Sequence, residues 1–181
     1  MLRAYKYRIY PTDEQKVLFA KTFGCCRFVY NWALNLKIEA YRPEKRSVAY
    51  KEVQDRLVNE LKKENQWLAE VNSQALLNSI RNLDIAYKNF FRDTHAVEFP
   101  RFKSRKNRQS FQCPQHCSID FAKGTITIPK AKDIPAVLHR GFKGTVKTVT
   151  VSMTPSGRYF ASILVDTAIQ EQKTSEPVHD T

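Results

Sequence analysis

The sequence predicts an α+β protein in which a small antiparallel β-barrel is split by an inserted helical bundle. Two patterns indicate this fold class. Apolar residues alternate with a period of two over residues 2–10 and again after residue 95, whereas residues 12–95 follow helical spacing. Because a single strand is unstable alone, the N-terminal strand is expected to pair with the later strands in one sheet.

The change of period divides the chain into three parts. Residues 1–11 plus 96–166 are predicted to form the barrel, and residues 12–95 a helical domain of helix-turn-helix-like character. Residues 167–181 are mainly polar and rich in turn-forming types, so they are predicted to be a disordered tail or a linker that is cut short.

The first strand is predicted to have a basic outer face. Tyr5, Tyr7 and Ile9 alternate with Lys6 and Arg8, so the aromatic and aliphatic side chains share one face of the strand and the cations share the other. The two cations are therefore candidate contacts for a polyanion.

Helix signals begin after Pro11, which cannot continue a ladder. Thr12 and Gln15 have the spacing of a capping box. The first predicted helix runs from about 13 to 23, and after an interruption at Gly24 a second one runs to about Tyr41, where Arg42 and Pro43 break it. A third helix is predicted to start near Ser47, and a fourth to run from Ser73 to Phe91.

The later strands are separated by turn signals. They are predicted at 109–113, 117–122, 125–129, 136–139, 145–154 and 158–166. The last two form the clearest pair, since their apolar positions alternate on both sides of a turn that contains Gly157. An antiparallel hairpin is therefore predicted there.

Positive charge predicts the class of partner. The 181 residues contain 30 Lys and Arg against 18 Asp and Glu, a formal net charge of +12, which favours nucleic acid or an anionic surface. The sequence has no membrane-spanning stretch and no signal peptide, so a cytoplasmic protein without a membrane partner, its four cysteines reduced, is expected.

A basic run between the predicted helices and strands is the strongest local signal. Five of the eight residues from 101 to 108 are cationic, namely Arg101, Lys103, Arg105, Lys106 and Arg108, and no acid occurs between Phe99 and Ile119. Cations beside aromatic rings suit a sugar-phosphate backbone and stacked bases. The alternative is a basic linker between two domains.

The helix that begins at Ser73 has two contrasting sides. Leu76, Ile80 and Leu83 belong to an apolar seam for packing on other helices. The opposite side is predicted to expose amides and bases, namely Asn78, Arg81, Asn82, Lys88, Asn89 and Arg92. This side is expected either to contact a nucleic-acid groove or to be an ordinary solvent-facing surface.

Neither a catalytic centre nor a cofactor is predicted. Cys113, His116 and Cys117 have a spacing that suggests zinc, but the chain has no second pair of closely spaced cysteines. The carboxylates are scattered, and neither a P-loop nor a nucleophile-elbow motif is present.

Five blocks in order resemble the N-terminal half of the TnpB (OrfB-type) proteins of insertion sequences, transposon-associated RNA-guided DNA endonucleases related to type V CRISPR effectors. The blocks are Tyr7–Pro11, Phe23–Leu34, Ser73–Phe91, Phe99–Lys103 and Ser156–Tyr159. The resemblance implies a wedge domain, an oligonucleotide-binding-like barrel, split by a helical recognition domain.

The resemblance also implies partners and positions of contact. In the family, these domains hold a guide RNA from the insertion-sequence end and read duplex DNA next to a short target-adjacent motif, while base pairing reads the rest. Together with the basic residues above, the expected nucleic-acid contacts are Lys6, Arg8, Tyr50, Ser73, Gln74, Asn78, Arg81, Arg101, Lys103, Arg105, Lys106 and Arg108.

The RuvC-like nuclease of the family, with its metal-binding carboxylates and zinc ribbon, would begin just after Thr181. The expectation is therefore a truncated, non-enzymatic binding module linked to DNA transposition in a prokaryotic cytosol or nucleoid. One alternative is part of a complete endonuclease whose RuvC half lies outside this chain. The other is a stand-alone helix-turn-helix-like DNA-binding regulator.

Overall fold

Seven strands form one antiparallel sheet in the computed structural model, which describes residues 1–93 and 95–167. They are β1 (Leu2–Ile9), β2 (Gln109–Cys113), β3 (Ser118–Asp120), β4 (Thr125–Ile128), β5 (Ala131–Val137), β6 (Thr145–Met153) and β7 (Tyr159–Asp166). Their order across the sheet is β2-β6-β7-β1-β5-β4-β3. The N-terminal strand is therefore central, with the later strands on both sides.

The predicted pairing of the first strand is confirmed. β1 pairs with β7 along its whole length, from Leu2 opposite Asp166 to Ile9 opposite Tyr159. The predicted hairpin is also confirmed, because β6 and β7 are antiparallel neighbours with Val151 opposite Ala161. Alternation of apolar residues was sufficient in both cases because one face of these strands is buried.

The prediction of a closed barrel is wrong. Within residues 1–93 and 95–167, no ladder joins β2 to β3, so both remain edge strands. β3 has three residues, and β5 pairs with β1 at just Arg8 and Ile9, so the β3-β4-β5 part diverges from the other four strands. Residues 114–117 connect the two edges, and the sheet curls without closing.

The described helices are α1 (Asp13–Glu44), α2 (Tyr50–Arg56), α3 (Lys62–Glu64) and α4 (Ser73–Arg92), with a π-helical turn at Leu57–Leu61 and a 3₁₀ turn at Gln66–Glu70. The predicted capping box is present, since Gln15 N donates to Thr12 Oγ1 and Thr12 N donates to Gln15 Oε1. None of the helices in this described part is long and apolar enough to cross a membrane.

The predicted interruption at Gly24 is wrong, because α1 continues through it. Phe23, Cys25 and Cys26 flank this glycine and are all buried in one core, which holds the helix together. A glycine inside a helix costs about 1 kcal/mol relative to alanine, less than the burial of these neighbours provides. The helix ends at Glu44, just past the predicted break, and Lys45 follows it with φ of 50°.

Strand β5 begins five residues before its predicted start at 136. Lys132 and Asp133 interrupt the apolar alternation that identifies a strand, and Pro135 cannot donate to a ladder, so the sequence does not indicate a strand over this stretch. The backbone is irregular there as well, since Asp133 has φ of 50°. The third helix similarly starts at Tyr50 rather than near Ser47.

The sheet packs on α1 through aromatic rings. The ring of Phe111 in β2 lies 5.2 Å from that of Phe23 and 5.6 Å from that of Phe19, and all three residues are buried. The predicted seam of α4 is also confirmed, because Leu76 and Leu83 are fully buried and α4 packs against both α1 and β2. One continuous core therefore joins sheet and helices.

Candidate nucleic-acid interface

The basic run, residues 101–108, is fixed to α1 by a pair of hydrogen bonds. Asn31 Nδ2 donates to the carbonyl oxygen of Lys103 at 2.9 Å, and Lys103 N donates to Asn31 Oδ1 at 2.8 Å. The oxygen and the nitrogen of the Asn31 amide are therefore both hydrogen-bonded to the backbone of the same residue. The middle of the run is therefore positioned on the helix rather than free in solvent.

Three cations of the run have partners inside the chain. Lys103 Nζ lies 4.2 Å from the centroid of the Tyr30 ring, and partial burial lowers the pKa of Lys103 although the residue as a whole is exposed. Arg108 Nη2 donates to Ser152 Oγ at 3.1 Å. Arg101 forms an exposed ion pair with Glu98, a type of pair that contributes little to stability.

The other two cations of the run are directed to solvent. Arg105 and Lys106 are exposed, and within the described ranges neither side chain forms an ion pair or a hydrogen bond. Their charges are thus available to phosphates without first breaking an internal contact.

A cleft with a volume of about 80 Å³ lies between α1, α4 and residues 103–112. Its lining contains no acid, and the polar lining side chains include Arg27, Asn78, Asn82, Lys103, Arg108, Gln109 and Gln112. Amides and cations together donate to phosphate, sugar and base acceptors. Three of the predicted contact residues, Asn78, Lys103 and Arg108, meet in this cleft.

Asn78 was predicted on the exposed side of α4, and this is wrong. It is 8% exposed, because α4 packs against β2 as well as α1 and buries more than the one seam. Its neighbour Ser79 is also buried and donates to the carbonyl oxygen of Ala75. Asn78 nevertheless lines the cleft, so its amide is placed at the cleft floor rather than on the open helix surface.

The remaining predicted residues of the helical part lie outside the cleft lining. Ser73 and Arg81 are exposed on α4, and Gln74 is half-buried in its first turn, where its backbone N–H donates to Asn72 Oδ1. Tyr50 is half-buried at the start of α2 and packs against the core. None of these four lines the cleft with Lys103 and Arg108.

The two predicted cations of β1 lie over aromatic rings on the outer side of the sheet. Lys6 Nζ lies 4.5 Å from the centroid of Phe160, and the guanidinium carbon of Arg8 lies 4.9 Å from the ring of Tyr10. Arg8 Nε is buried and has no hydrogen-bond partner among the described residues. Cation–π contacts of this kind hold a cation in place without neutralising its charge.

The outer side of the sheet is continuous with the cleft. Across the strands, Ser110 is opposite Ser152, Ser152 is opposite Phe160, and Phe160 is opposite Arg8. A parallel row joins Gln112, Thr150, Ser162 and Lys6. We call these two rows the sheet face. Gln112 also lines the cleft, where it accepts from Asn82 Nδ2 at 3.3 Å.

One acid occurs in the four strands that carry the sheet face. It is Asp166 at the end of β7, and its carboxylate is paired with the N-terminal ammonium at 3.1 Å. Cleft and sheet face therefore form a single surface without carboxylates, from α4 across β2 to β1, and such a surface favours polyanions.

Several residues of this surface were missed by sequence reasoning. Arg27 Nη1 donates to Gln109 Oε1 at 3.1 Å in the cleft, and Phe160 supports Lys6 and Arg8 on the sheet face. The sequence offers one indication of this surface, which is that polar residues of β2 alternate with the buried Phe111. Ser110 and Gln112 then face away from the core, and polar side chains on an edge strand suit a binding surface. Arg27 and Asn31 lie in the Phe23–Leu34 block, but nothing in the sequence indicates that this part of α1 lies beside the basic run.

The cysteine motif behaves as part of the core. Cys113 is buried, with Asn72 Nδ2 3.9 Å from its sulfur. Outside the motif, Cys26 is also buried, and burial raises its pKa to about 12. A hydrogen bond from Cys113 lowers the pKa of Cys117. Among the residues that the structure describes, no three side chains of His, Cys, Asp or Glu are grouped to hold a metal ion.

Comparison with known proteins identifies relatives over most of the chain. A helix-turn-helix domain family of OrfB proteins (HTH_OrfB_IS605) matches residues 1–46. A putative RNA-guided DNA endonuclease of Streptomyces pristinaespiralis is 36% identical over 173 residues, and the putative RNA-guided DNA endonuclease InsQ of Escherichia coli K12 is 35% identical over 179 residues. Virulence protein VsdF of Salmonella dublin is 35% identical over 116 residues, which cover 60% of this chain and 98% of that protein.

The chain belongs to the TnpB/OrfB family. It spans 42% of the length of each of the two putative endonucleases, and the matches cover 92% and 98% of this chain. The helix-turn-helix family matches residues 1–46, which contain β1 and α1. In this chain, the segment matched by a helix-turn-helix family therefore folds as one strand and one continuous helix.

Asn31→Ala tests whether the position of the basic run matters for binding. Loss of the two hydrogen bonds to Lys103 should weaken duplex DNA binding about three- to tenfold, because the run must then be ordered on binding, and each hydrogen bond contributes about 1 kcal/mol. The slope of log affinity against log salt should be unchanged, because no charge is removed.

Fluorescence anisotropy with labelled duplex over a salt series measures both quantities. Asn35→Ala, an exposed amide one helical turn further along α1, is the matched control and should bind like the wild type. Equal affinities for Asn31→Ala and the control would show that the two hydrogen bonds between Asn31 and Lys103 play no part in binding.

Proposed function

We propose that this chain is the nucleic-acid-binding part of a TnpB/OrfB protein, with the cleft and the sheet face in contact with guide RNA and with duplex DNA beside a target-adjacent motif. The observation that carries the proposal is the continuous carboxylate-free surface from α4 to β1. On it, cations are held by rings and amides instead of being neutralised by acids.

The proposal divides the surface between two domains. The sheet, residues 1–11 plus 96–166, takes the role of an oligonucleotide-binding-like wedge domain, and the helices, residues 12–95, take the role of the recognition domain. Ser73, Gln74 and Arg81 lie at the start and middle of α4, where their side chains would reach a DNA groove beside the cleft. Tyr50 would support that side from α2.

The names of the two long relatives extend the proposal to a biological process. They are putative RNA-guided DNA endonucleases, so this chain would take part in guided DNA recognition linked to transposition, in the cytoplasm or nucleoid. DNA cleavage is not proposed for residues 1–93 and 95–167, since no group of carboxylates within them converges on a metal position. Incubation of the pure chain with DNA and Mg²⁺ or Mn²⁺ should therefore give no cleavage.

The direct test measures binding of the chain to duplex DNA and to structured RNA over a range of salt concentrations. If the basic run contacts five phosphates of a DNA duplex, the slope of log affinity against log salt should be about −4.5. A slope near zero, which means an affinity that salt does not alter, would contradict the proposal.

A second candidate function is a DNA-binding protein that works without RNA. The match of residues 1–46 to a helix-turn-helix domain family favours it. The two functions differ in their preference for RNA: a guide-binding module should bind structured RNA at least as tightly as random duplex DNA at equal salt. A regulator of the helix-turn-helix type should prefer duplex DNA and discriminate between DNA sequences.

A further inference from the structure

A second concave surface lies where the end of α1 faces the end of α4, and it shares no lining residue with the cleft. This aromatic groove has a volume of about 580 Å³, and its rings are Tyr41, Tyr87, Phe90, Phe91 and Phe99. Phe91 is 68% exposed, Tyr41 57% and Phe99 40%. Rings of this size normally bury most of their surface, so a cluster of exposed ones marks a binding site.

The rings support one another in fixed edge-to-face contacts. Phe99 lies 5.3 Å from both Tyr87 and Phe90, and Phe90 lies 5.2 Å from Phe91, as measured between ring centroids. These contacts fix the outermost ring, Phe91, without covering it. An exposed aromatic ring such as that of Phe91 can stack with nucleic-acid bases whatever their sequence, because every base has a π-face.

A buried cation lies in the lining of the groove. Lys37 is 9% exposed, its Nζ donates to the carbonyl oxygen of Val48 at 2.7 Å, and the same nitrogen lies 5.0 Å from the ring of Tyr87. An ammonium has three donors, and Val48 provides the one acceptor that the described residues give it. Burial lowers the pKa of Lys37, against the opposing effect of Asp84 and Glu52.

Charge at the rim indicates which occupant suits the groove. Arg42 and Arg46 line it, and their ion pairs with Glu39 and Glu52 are solvent-exposed. Exposed pairs are weak, so either guanidinium can exchange a carboxylate for a phosphate at small cost. A second copy of a chain with net charge +12 would be repelled by the same cations.

We propose that the aromatic groove binds unpaired bases of a single-stranded nucleic acid. A base stacks on Phe91 beside Tyr41, a carbonyl oxygen of the base accepts a hydrogen bond from Lys37 Nζ, and the flanking phosphates lie near Arg42 and Arg46. Because Phe99 lines the groove and Arg101 begins the basic run two residues later, a strand that leaves the groove reaches the run directly. This inference rests on the proposed function for its class of ligand.

The test compares a labelled single-stranded oligouridine with a labelled random-sequence duplex DNA on the same chain. Phe91→Ala should weaken oligouridine binding about tenfold, as expected for loss of one base-stacking ring, and should leave duplex binding unchanged. Phe121→Ala removes a ring that is 44% exposed in the turn between β3 and β4, outside the groove, and is the matched control. It should alter neither affinity.

Two further measurements separate stacking from general attraction to phosphates. An oligomer with abasic sugars in place of uridines should bind the wild type and Phe91→Ala equally. Lys37→Met replaces the ammonium-bearing side chain by an unbranched, apolar one of similar length. It should lower oligouridine affinity about as much as Phe91→Ala. Thermal unfolding of each variant shows whether the fold is retained.

Each outcome is decisive for one of the two proposals. Equal oligouridine affinities for wild type and Phe91→Ala would overturn the groove as a base site and leave the duplex interface standing. Binding of oligouridine that depends on Phe91, without any duplex or structured-RNA binding, would support the groove and overturn the proposed function. If Phe91→Ala changes the sedimentation coefficient but not the affinity, the groove is a contact between copies of the chain and the inference is wrong.

Discussion

Replacement of Arg101, Lys103, Arg105 and Lys106 by alanine is expected to weaken duplex DNA binding by about two to three orders of magnitude at physiological salt. Each phosphate contact adds about 0.9 to the steepness of the salt dependence, so the slope should become less steep by about 3.6. The fold should survive, since all four residues are exposed as a whole and the hydrogen bonds between the Asn31 side chain and the backbone of residue 103 remain.

The matched control removes the same charge elsewhere. Lys63, Lys123, Lys132 and Lys143 are exposed, and none lines the cleft or belongs to the sheet face. Replacing these four by alanine should change the slope by less than one unit, because distant exposed charges are screened. If both quadruple variants lose the same affinity, binding depends on net charge alone, and the run is only a basic linker.

Much of the fold follows from the sequence because the chain is locally consistent. Alternation in β1, β2, β6 and β7 and the seam of α4 each identify the element with its buried face, and the capping box identifies the first residue of α1. The errors arise where tertiary packing overrides a local signal. Gly24 did not end a helix whose flanking residues share one core, and closure of a sheet depends on strand lengths that periodicity does not determine.

The candidate interface was predictable in its charges and unpredictable in its geometry. The sequence shows that Lys6, Arg8 and the basic run are cationic, but their support comes from Phe160, Tyr30 and Asn31, which are remote in sequence. Asn78 illustrates the same limit, since a helical wheel shows which side of α4 it occupies but not that β2 covers that side. Such contacts require the register of β2 against β6 and the path of the run over α1.

Phe111→Ala is expected to lower the free energy of unfolding by about 3–5 kcal/mol. Its ring is 5% exposed and lies between the sheet and α1, within 5.6 Å of Phe19 and 5.2 Å of Phe23. Removal leaves a cavity that the three-ring cluster cannot fill by small movements. Equilibrium unfolding in urea measures the loss, and Phe121→Ala should change the same free energy by about 0.5 kcal/mol or less, as for a surface position.

The same substitution connects the core with binding. Phe111 lies between Ser110 and Gln112, the two β2 residues of the sheet face, and it also lines the cleft. If β2 shifts when the ring is lost, duplex affinity should fall while the salt slope stays near that of the wild type, because every cation remains. A destabilisation below about 1.5 kcal/mol, typical of a volume-conserving change, would show that sheet and helices do not share the core that positions cleft and sheet face on one surface.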